Sequence, residues 1–286
     1  MAEQGPDWSK YNGTNPAWGL TNDSFAIAQV GGTYGGRLNL QAPYAAQIRN
    51  IRARGRRAHA YIWFQVGGSQ QYAKAALDYL LPRVGLPKDA IVALDYEAGA
   101  SGSRQANTNA ILYGMQRIKD YGYTPMYYSY KPYTLAHVDS AQIVKRFGTC
   151  LWIAAYPYSY AVTSPDMNYF PSIDGVAIWQ FTDKYAHSGG LDGNVDLTGI
   201  TKSGYTASPA EAVVKKVSDN LPEKKYWPAN VRGIGYARSN ATTYSDNGLT
   251  KPKSKLAKDL PYKIFEIKGA AADVGKAWVS VAELAP

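Results

Sequence analysis

Apolar runs alternate with amphipathic stretches along the first 200 or so residues of the chain. Residues 25–30, 58–66, 91–94, 126–130, 151–155 and 175–181 are dominated by apolar and aromatic side chains, which predicts strands buried on both faces. Between them, apolar positions recur at helical spacing over about 44–54, 70–81, 107–121 and 140–147. Ala45, Ile48, Ile51 and Ala53 mark the first of these helices, and Gly55 ends it. Strand and helix return about every 30 residues, the pattern of a parallel β/α sheet or barrel. The glycine-rich stretch 31–36 reads as a loop; its spacing does not suit a phosphate cradle and no Lys-Ser/Thr follows.

The texture changes after residue 200. Lys202, Ser203, Ser208, Pro209, Pro222 and Lys224-Lys225 predict a linker over 201–225. From Tyr226 onward, short β segments near 233–237, 242–244, 262–267 and 277–281 are broken by turns, of which Asp246-Asn247-Gly248 is a good hairpin turn. The expected fold class is therefore α/β: an irregular β/α barrel over 1–200, then a small all-β barrel over 226–286.

Chemistry gathers at the strand ends. The run Ile91-Val92-Ala93-Leu94 closes on Asp95-Tyr96-Glu97, and on a strand Asp95 and Glu97 point the same way. A lone D-x-E is more often a strand running out into solvated acids than a catalytic pair. Here Asp7, Trp63, Tyr128, Tyr156 and Gln180 also fall at the C-terminal ends of predicted strands, where β/α folds place their sites. Acids inside a ring of strand-end aromatics predict a carbohydrate site. Tyr61, Trp63, Tyr96, Tyr128, Tyr156 and Trp179 are the candidate sugar contacts, each with core packing as its competing reading, and Gln180 is placed for hydrogen bonding.

Composition sharpens this. The chain has 24 tyrosines and 7 tryptophans against 6 phenylalanines, a bias towards rings with a polar tip that suits sugar stacking and barrel packing alike. Cys150 is the single cysteine and sits in an apolar run, so a buried inert thiol is expected and a disulfide framework is excluded. His59, His137 and His187 show no ligand spacing, and no cofactor or metal is expected. Asp192, Asn194 and Asp196 have the D-x-N-x-D spacing of a calcium loop but lack the rest of an EF-hand pattern. The residues from Met1 to Asp7 lack the basic and apolar regions of a signal peptide, and no run is long enough to span a membrane. Synthesis in the cytoplasm without stable membrane insertion is the expectation.

The net charge is +9. Residues 222–286 hold 11 Lys/Arg against 6 Asp/Glu, a net +5 in under a quarter of the chain, which favours a polyanionic partner. Arg49, Arg52, Arg54, Arg56 and Arg57 read as the solvated side of a helix and its exit, without the interleaved aromatics of a nucleic-acid surface.

Seven blocks in order resemble the glycoside hydrolase family 25 muramidases, particularly lysozymes of phages that infect Gram-positive bacteria. They are Asp7-x-Ser9, Leu94-Asp95-Tyr96-Glu97, Gln105-Ala106-Asn107-Thr108-Asn109-Ala110, Met126-Tyr127-Tyr128-Ser129-Tyr130-Lys131-Pro132, Leu151-Trp152-Ile153-Ala154-Ala155-Tyr156, Trp179-Gln180-Phe181 and the acidic stretch ending at Asp196-Leu197. The family usually closes that last motif Asp-Leu-Asn, whereas Thr198 stands here, and Trp8 stands where a small aliphatic residue is usual. The middle blocks look most like pneumococcal phage lysozymes, but the C-terminal part lacks the aromatic repeats with which those enzymes bind choline. Residues 226–286 are similar instead, in strand pattern and in Trp278-Val279, to a bacterial SH3-type wall-binding domain.

The resemblance implies an irregular barrel of five β/α units with three further strands. It also implies hydrolysis of the β-1,4 bond from N-acetylmuramic acid to N-acetylglucosamine in peptidoglycan. It places Glu97 as general acid/base with Asp95 as close partner. Asp7 and a distal acid complete the set: Asp192, for its short Asp-x-Asn spacing after Trp179-Gln180, with Asp196 as the alternate and a further candidate contact. The partners implied are peptidoglycan and an anionic Gram-positive wall, reached from the host cytoplasm after holin-type release. Two other classes stay open, a β/α-barrel glycosidase acting on another N-acetylglucosamine polymer such as chitin, and a non-catalytic wall-binding protein. Nucleic-acid binding is a distant third.

Overall fold

The computed structural model describes residues 2–187, 189–205, 233–237, 241–256, 261–264, 266–268, 270–274 and 277–285. The chain divides into two units, Met1–Lys215 and Lys216–Pro286.

In the first unit the strands are β1 (Glu3–Trp8), β2 (Phe25–Tyr34), β3 (Arg37–Leu40), β4 (Arg57–Phe64), β5 (Ile91–Asp95), β6 (Thr124–Tyr130), β7 (Leu151–Ala154), β8 (Val176–Thr182) and β9 (Asp192–Asp196). They run β1-β2-β4-β5-β6-β7-β8-β9, and β9 pairs back to β1, closing a barrel. Seven of these strands are mutually parallel, whereas β9 lies antiparallel to both neighbours. The fold class expected from the pattern is the fold observed.

Parallel strands buried on both faces explain the apolar runs. All five residues of β5 are buried. Phe25, Ile27, Tyr61, Ile91, Ala93 and Met126 fill the barrel interior, while their neighbours in sequence, such as Ala26, Ala28, Ile62, Val92 and Leu94, face outward. The outer layer is covered by helices α1 (Tyr44–Ala53), α2 (Gln70–Leu80), α3 (Arg104–Asp120), α4 (Lys131–His137) and α5 (Ser140–Phe147), which contribute Ile51, Leu77, Leu80, Ile111, Met115 and Ile143. Ser69, Ser103 and Asp139 cap α2, α3 and α5, each side chain accepting a backbone N–H of the first turn. Trp8 fits because it faces this outer layer, where it meets Trp18 edge-on with ring centroids 5.0 Å apart.

The structure adds to or departs from the sequence reading in three places. The stretch 31–36 is not a loop as a whole: β2 runs on to Tyr34 and turns back into β3. Its glycines serve close approach, since a Cβ on Gly32 would lie 2.4 Å from the Trp63 carbonyl oxygen on β4. The D-x-N-x-D segment is strand β9, and period-two geometry puts Asp192, Asn194 and Asp196 on one face. The helix α4 was not expected; it follows directly on β6 and holds a proline in its first turn.

The barrel wall also extends into the stretch expected to be linker. The Tyr205 hydroxyl donates to the Ala58 carbonyl at 2.6 Å and accepts from the Ala58 N–H at 3.2 Å, and Thr201 is buried. The rest of that stretch, 206–225, lies outside the described residues.

The second unit consists of antiparallel pairings among β10 (Gly233–Ala237), β11 (Thr242–Tyr244), β12 (Pro252–Lys255), β13 (Pro261–Ile264), β14 (Glu266–Lys268), β15 (Ala271–Asp273), β16 (Trp278–Ser280) and β17 (Leu284–Ala285). One sheet has the order β13-β10-β17 and the other β12-β11-β16-β15-β14. Ala241, Leu256, Ala272, Val279 and Leu284 form a small core. The expected hairpin turn joins β11 to β12, and the Asp246 carboxylate accepts from the backbone N–H groups of Thr250 and Lys251.

Candidate active site

Strand register brings the acids together. Asp7, near the end of β1, sits opposite Asp192 at the start of β9. Asp95, the last residue of β5, lies between Trp63 on β4 and Tyr128 on β6. A cleft of about 490 Å³ opens there, lined by Asp7, Asp95, Glu97 and Asp192 together with Tyr61, Trp63, Tyr128, Tyr156 and Gln180. Nine of the sequence-predicted site residues therefore share one cavity at the C-terminal mouth of the barrel.

Three do not. Tyr96 lies between two cleft acids, so the alternation turns it outward; it is fully buried and its hydroxyl donates to the Gly67 carbonyl at 3.0 Å. Trp179, next to Gln180, faces outward for the same reason and its indole N–H donates to the Ala155 carbonyl at 3.0 Å. Asp196 pairs with Glu3 at the opposite end of β1. There its carboxylate accepts from the N–H groups of Thr198, Gly199, Ile200 and Thr201 and from the Thr201 hydroxyl, so it clamps the chain under the barrel floor. The alternate position for the distal acid is thereby removed from the cleft.

Other residues in and behind the cleft escaped sequence reasoning. Asn194 donates to Asp7 Oδ2 at 2.9 Å and accepts from the Trp152 indole at 2.8 Å. Reading its segment as a strand was the signal that could have found it. Tyr34 stacks on Trp63, with centroids 5.6 Å apart and planes 8° from parallel. Lys10 and the exposed Tyr11 stand at the rim. Asn107, on α3, acts at one remove: its side chain accepts from Ser101 N–H and hydroxyl and donates to the carbonyls of Ser101 and His137. That pins the segment that follows Glu97.

Gln180 organises the polar floor. Its amide nitrogen donates to Asp7 Oδ2 at 2.6 Å, and its carbonyl oxygen accepts from the hydroxyls of Tyr128, at 2.7 Å, and Tyr156. Asp95 Oδ1 is buried with no hydrogen-bond partner among the described residues.

Burial dominates the electrostatics, because a desolvated carboxylate resists ionisation. It pushes Asp7 up to about 6 even though the Asn194 and Gln180 amides favour the charged form. Asp192 rises to about 8 through burial and then the charges of Asp7, Asp183 and Glu97. Burial, followed by Glu97, Asp7 and Asp192, holds Asp95 well above the usual carboxylate range. Glu97 is raised by burial and by Asp7. Four acids so crowded cannot all be ionised near neutral pH, so the cleft offers a proton donor and a carboxylate together. His59 belongs to the floor: burial drops it to about 3, and its ring accepts the Ile91 N–H at 3.0 Å. Cys150 is buried, with its thiol pushed up to about 12.

A closed β/α barrel carrying crowded acids among aromatics at its strand ends defines a class of barrel proteins built for acid–base work on a bound ligand. Residues 6–190 match the family described as Glycosyl hydrolases family 25, and the chain belongs to that family. Among its relatives, the D-alanyl-L-alanine endopeptidase of Streptococcus phage B30 is 41% identical over 137 residues, covering 48% of this chain and 31% of the relative. The lysozyme of Streptococcus phage Cp-9 is 45% identical over 122 residues, covering 43% of this chain and 35% of the relative. Each match thus spans about a third of the relative's length. Among solved structures, the cell wall endolysin of pneumococcal phage Cp-1 with choline superposes with a TM-score of 0.59 at 23% identity, covering 97% of this chain and 67% of the other. The spore cortex lytic enzyme of Clostridium perfringens gives 0.53 at 14% identity, covering 99% and 94%. At these identities the structural likeness speaks for the fold.

Proposed function

We propose that the chain is an endolysin muramidase that hydrolyses the β-1,4 bond between N-acetylmuramic acid and N-acetylglucosamine in bacterial peptidoglycan. One observation carries this reading: Asp7, Asp95, Glu97 and Asp192 line one cleft and the pKa of each is raised. Glycosidic hydrolysis needs a carboxylic acid still protonated near neutral pH beside a carboxylate, and this crowding supplies both.

Glu97 is the proton donor to the glycosidic oxygen, because it is only half-buried and reaches the open cleft. Asp95 lines the same cleft beside Glu97, and either orients and charge-stabilises a 2-acetamido group as internal nucleophile or serves as a base. Asp7 and Asp192 tune the acidity of that pair and hold the sugar, and Tyr61, Trp63, Tyr128, Tyr156 and Gln180 contact the rings. The lysozyme names of the phage relatives, and a peptidoglycan analogue bound to a modular endolysin that superposes with a TM-score of 0.58, support the substrate.

Residues 226–286 act as an SH3-type module that binds the anionic Gram-positive wall. Its short antiparallel strands and the positive balance of 222–286 support this. The protein is made in the host cytoplasm and meets the wall after holin-type release.

Mass spectrometry of fragments released from defined peptidoglycan tests the assignment. N-acetylmuramic acid at the new reducing ends is the expected result. Reducing-end N-acetylglucosamine, or release from chitin with none from peptidoglycan, would replace the reading with another glycosidase activity. No release would leave a wall-binding protein.

A further inference from the structure

The connection from β7 to β8, residues 155–175, carries rings that the cleft leaves unused. It begins at Tyr156, which lines the cleft and is still 44% exposed. Beyond it, Tyr158 stacks on Tyr160 with centroids 5.0 Å apart and planes 29° from parallel, and it meets Tyr169 edge-on at 5.5 Å. Tyr160, Met167 and Tyr169 are 60%, 57% and 52% exposed, among the most open large apolar side chains of the described residues. Single exposed rings are ordinary on a protein surface, but a contiguous group is not.

This segment is also braced. The Tyr158 hydroxyl donates to Asp166 at 2.6 Å, and Asp166 accepts from the Asn168 N–H at 3.0 Å, capping the turn Met167–Tyr169. The Val162 N–H donates to the Lys184 carbonyl at 3.1 Å, and the Ala186 N–H donates to the Val162 carbonyl at 2.8 Å. The Lys184 ammonium donates to the Ser159 carbonyl, so its charge is tied into the loop. The surface is thus aromatic and held in place, and its acid, Asp166, is already hydrogen-bonded.

We propose that Tyr158, Tyr160 and Tyr169, with Met167, form an extended saccharide-binding surface that begins two residues beyond the cleft-lining Tyr156 and takes further N-acetylated pyranose units of the strand being cut. It rests on the muramidase reading. The ring faces match the C–H faces of pyranose rings, and their hydroxyls match the sugar's polar rim. Tyr158 follows the cleft-lining Tyr156 by two residues, and this nearness to the cleft selects the same glycan strand as the occupant. Lys184 and Asp166 are opposite in sign and each is hydrogen-bonded within the loop, so the pair gives the surface no bias of one sign towards an anionic polymer.

The experiment uses the full chain carrying Glu97→Gln, so that ligands survive, and calorimetric titration with two peptide-free glycans. One is the peptidoglycan tetrasaccharide and the other a strand of about ten disaccharides. Strands should bind more tightly than the tetrasaccharide. Adding Tyr160→Ala and Tyr169→Ala should weaken strand binding about five- to tenfold and shrink the strand-to-tetrasaccharide ratio, while Tyr160→Phe keeps it. Both alanine sites are more than half exposed, so the melting temperature reports that the fold is intact. A ratio unchanged by the double substitution, with tetrasaccharide binding intact, would overturn the inference alone. Failure of the parent protein to bind either glycan would overturn the muramidase reading beneath it as well.

Discussion

Gln180 and Asp7 stand 173 residues apart in sequence and 2.6 Å apart in space, the Gln180 amide donating to the Asp7 carboxylate. This bond favours ionised Asp7 against the burial that raises it. Gln180→Leu should therefore raise the Asp7 pKa further and move the acid limb of the kcat/KM profile to higher pH. It should also cost about 1–3 kcal/mol of stability, because the Tyr128 and Tyr156 hydroxyls lose their shared acceptor. A profile with both limbs in place would detach Asp7 from the titration that governs the rate.

Glu97→Gln keeps the shape of the proton donor and removes its proton. Wall-clearing turnover should fall by about 10²- to 10⁴-fold or more, with the melting temperature held or raised, since one of four crowded acids is gone. Turbidity assays on purified walls and a thermal melt check both halves. Near-parental clearing would remove Glu97 from the chemistry.

The cluster also makes stability depend on pH with a definite sign. Asp7 and Asp192 have ordinary values of 3.8 and folded values of about 6 and about 8. Above about pH 4 the unfolded chain has released protons that the folded chain still holds, so raising the pH favours unfolding. The contribution of these groups should be lost progressively between about pH 4 and about pH 8. Asp192→Asn should flatten that slope, as melting temperatures at several pH values across the window would show. An unaltered slope would place the pH dependence elsewhere.

Asp192 and Asp196 lie four residues apart and should separate cleanly by readout. Asp196→Ala strips five hydrogen-bond donors of their acceptor and should lower stability by about 3–5 kcal/mol, measured by denaturant titration. The activity of the fraction that remains folded should hold. Asp192→Ala should do the reverse.

The wall-binding proposal predicts electrostatic attachment. Full-chain protein carrying Glu97→Gln should sediment with Gram-positive walls at low salt and be released as salt rises. Walls stripped of anionic polymers by acid should retain much less of it. Salt-independent attachment to stripped walls would point to the glycan itself.

Much of the barrel could be read in advance because parallel strands covered on both sides leave uninterrupted apolar runs, as in Ile91–Asp95. β9 escaped for the opposite reason. It lines the polar mouth and floor, so Asp192, Asn194 and Asp196 look like a loop or an ion site until their alternation is taken as a strand. Tyr96 and Trp179 are neighbours in sequence of the acids and of Gln180, but period two turns both away from the cleft and into the core. Asn107 is a polar residue buried on a helix, and its partners in the 97–103 segment and at His137 are set by tertiary packing that spacing does not reveal.

The pairing of β1 with β9 has a consequence for assembly. The strand that carries Asp7 is translated before the rest of the barrel, yet its partners Gln180 and Asn194 emerge from the ribosome some 170 to 190 residues later. Contacts so distant in the chain are slow to form and cannot precede closure of the barrel. A nascent or truncated polypeptide ending before Asp192 has an open edge at β1 and no complete carboxylate cluster. The carboxylate cluster is thereby tied to the finished domain, and the first of its four acids to be translated is among the last to be positioned.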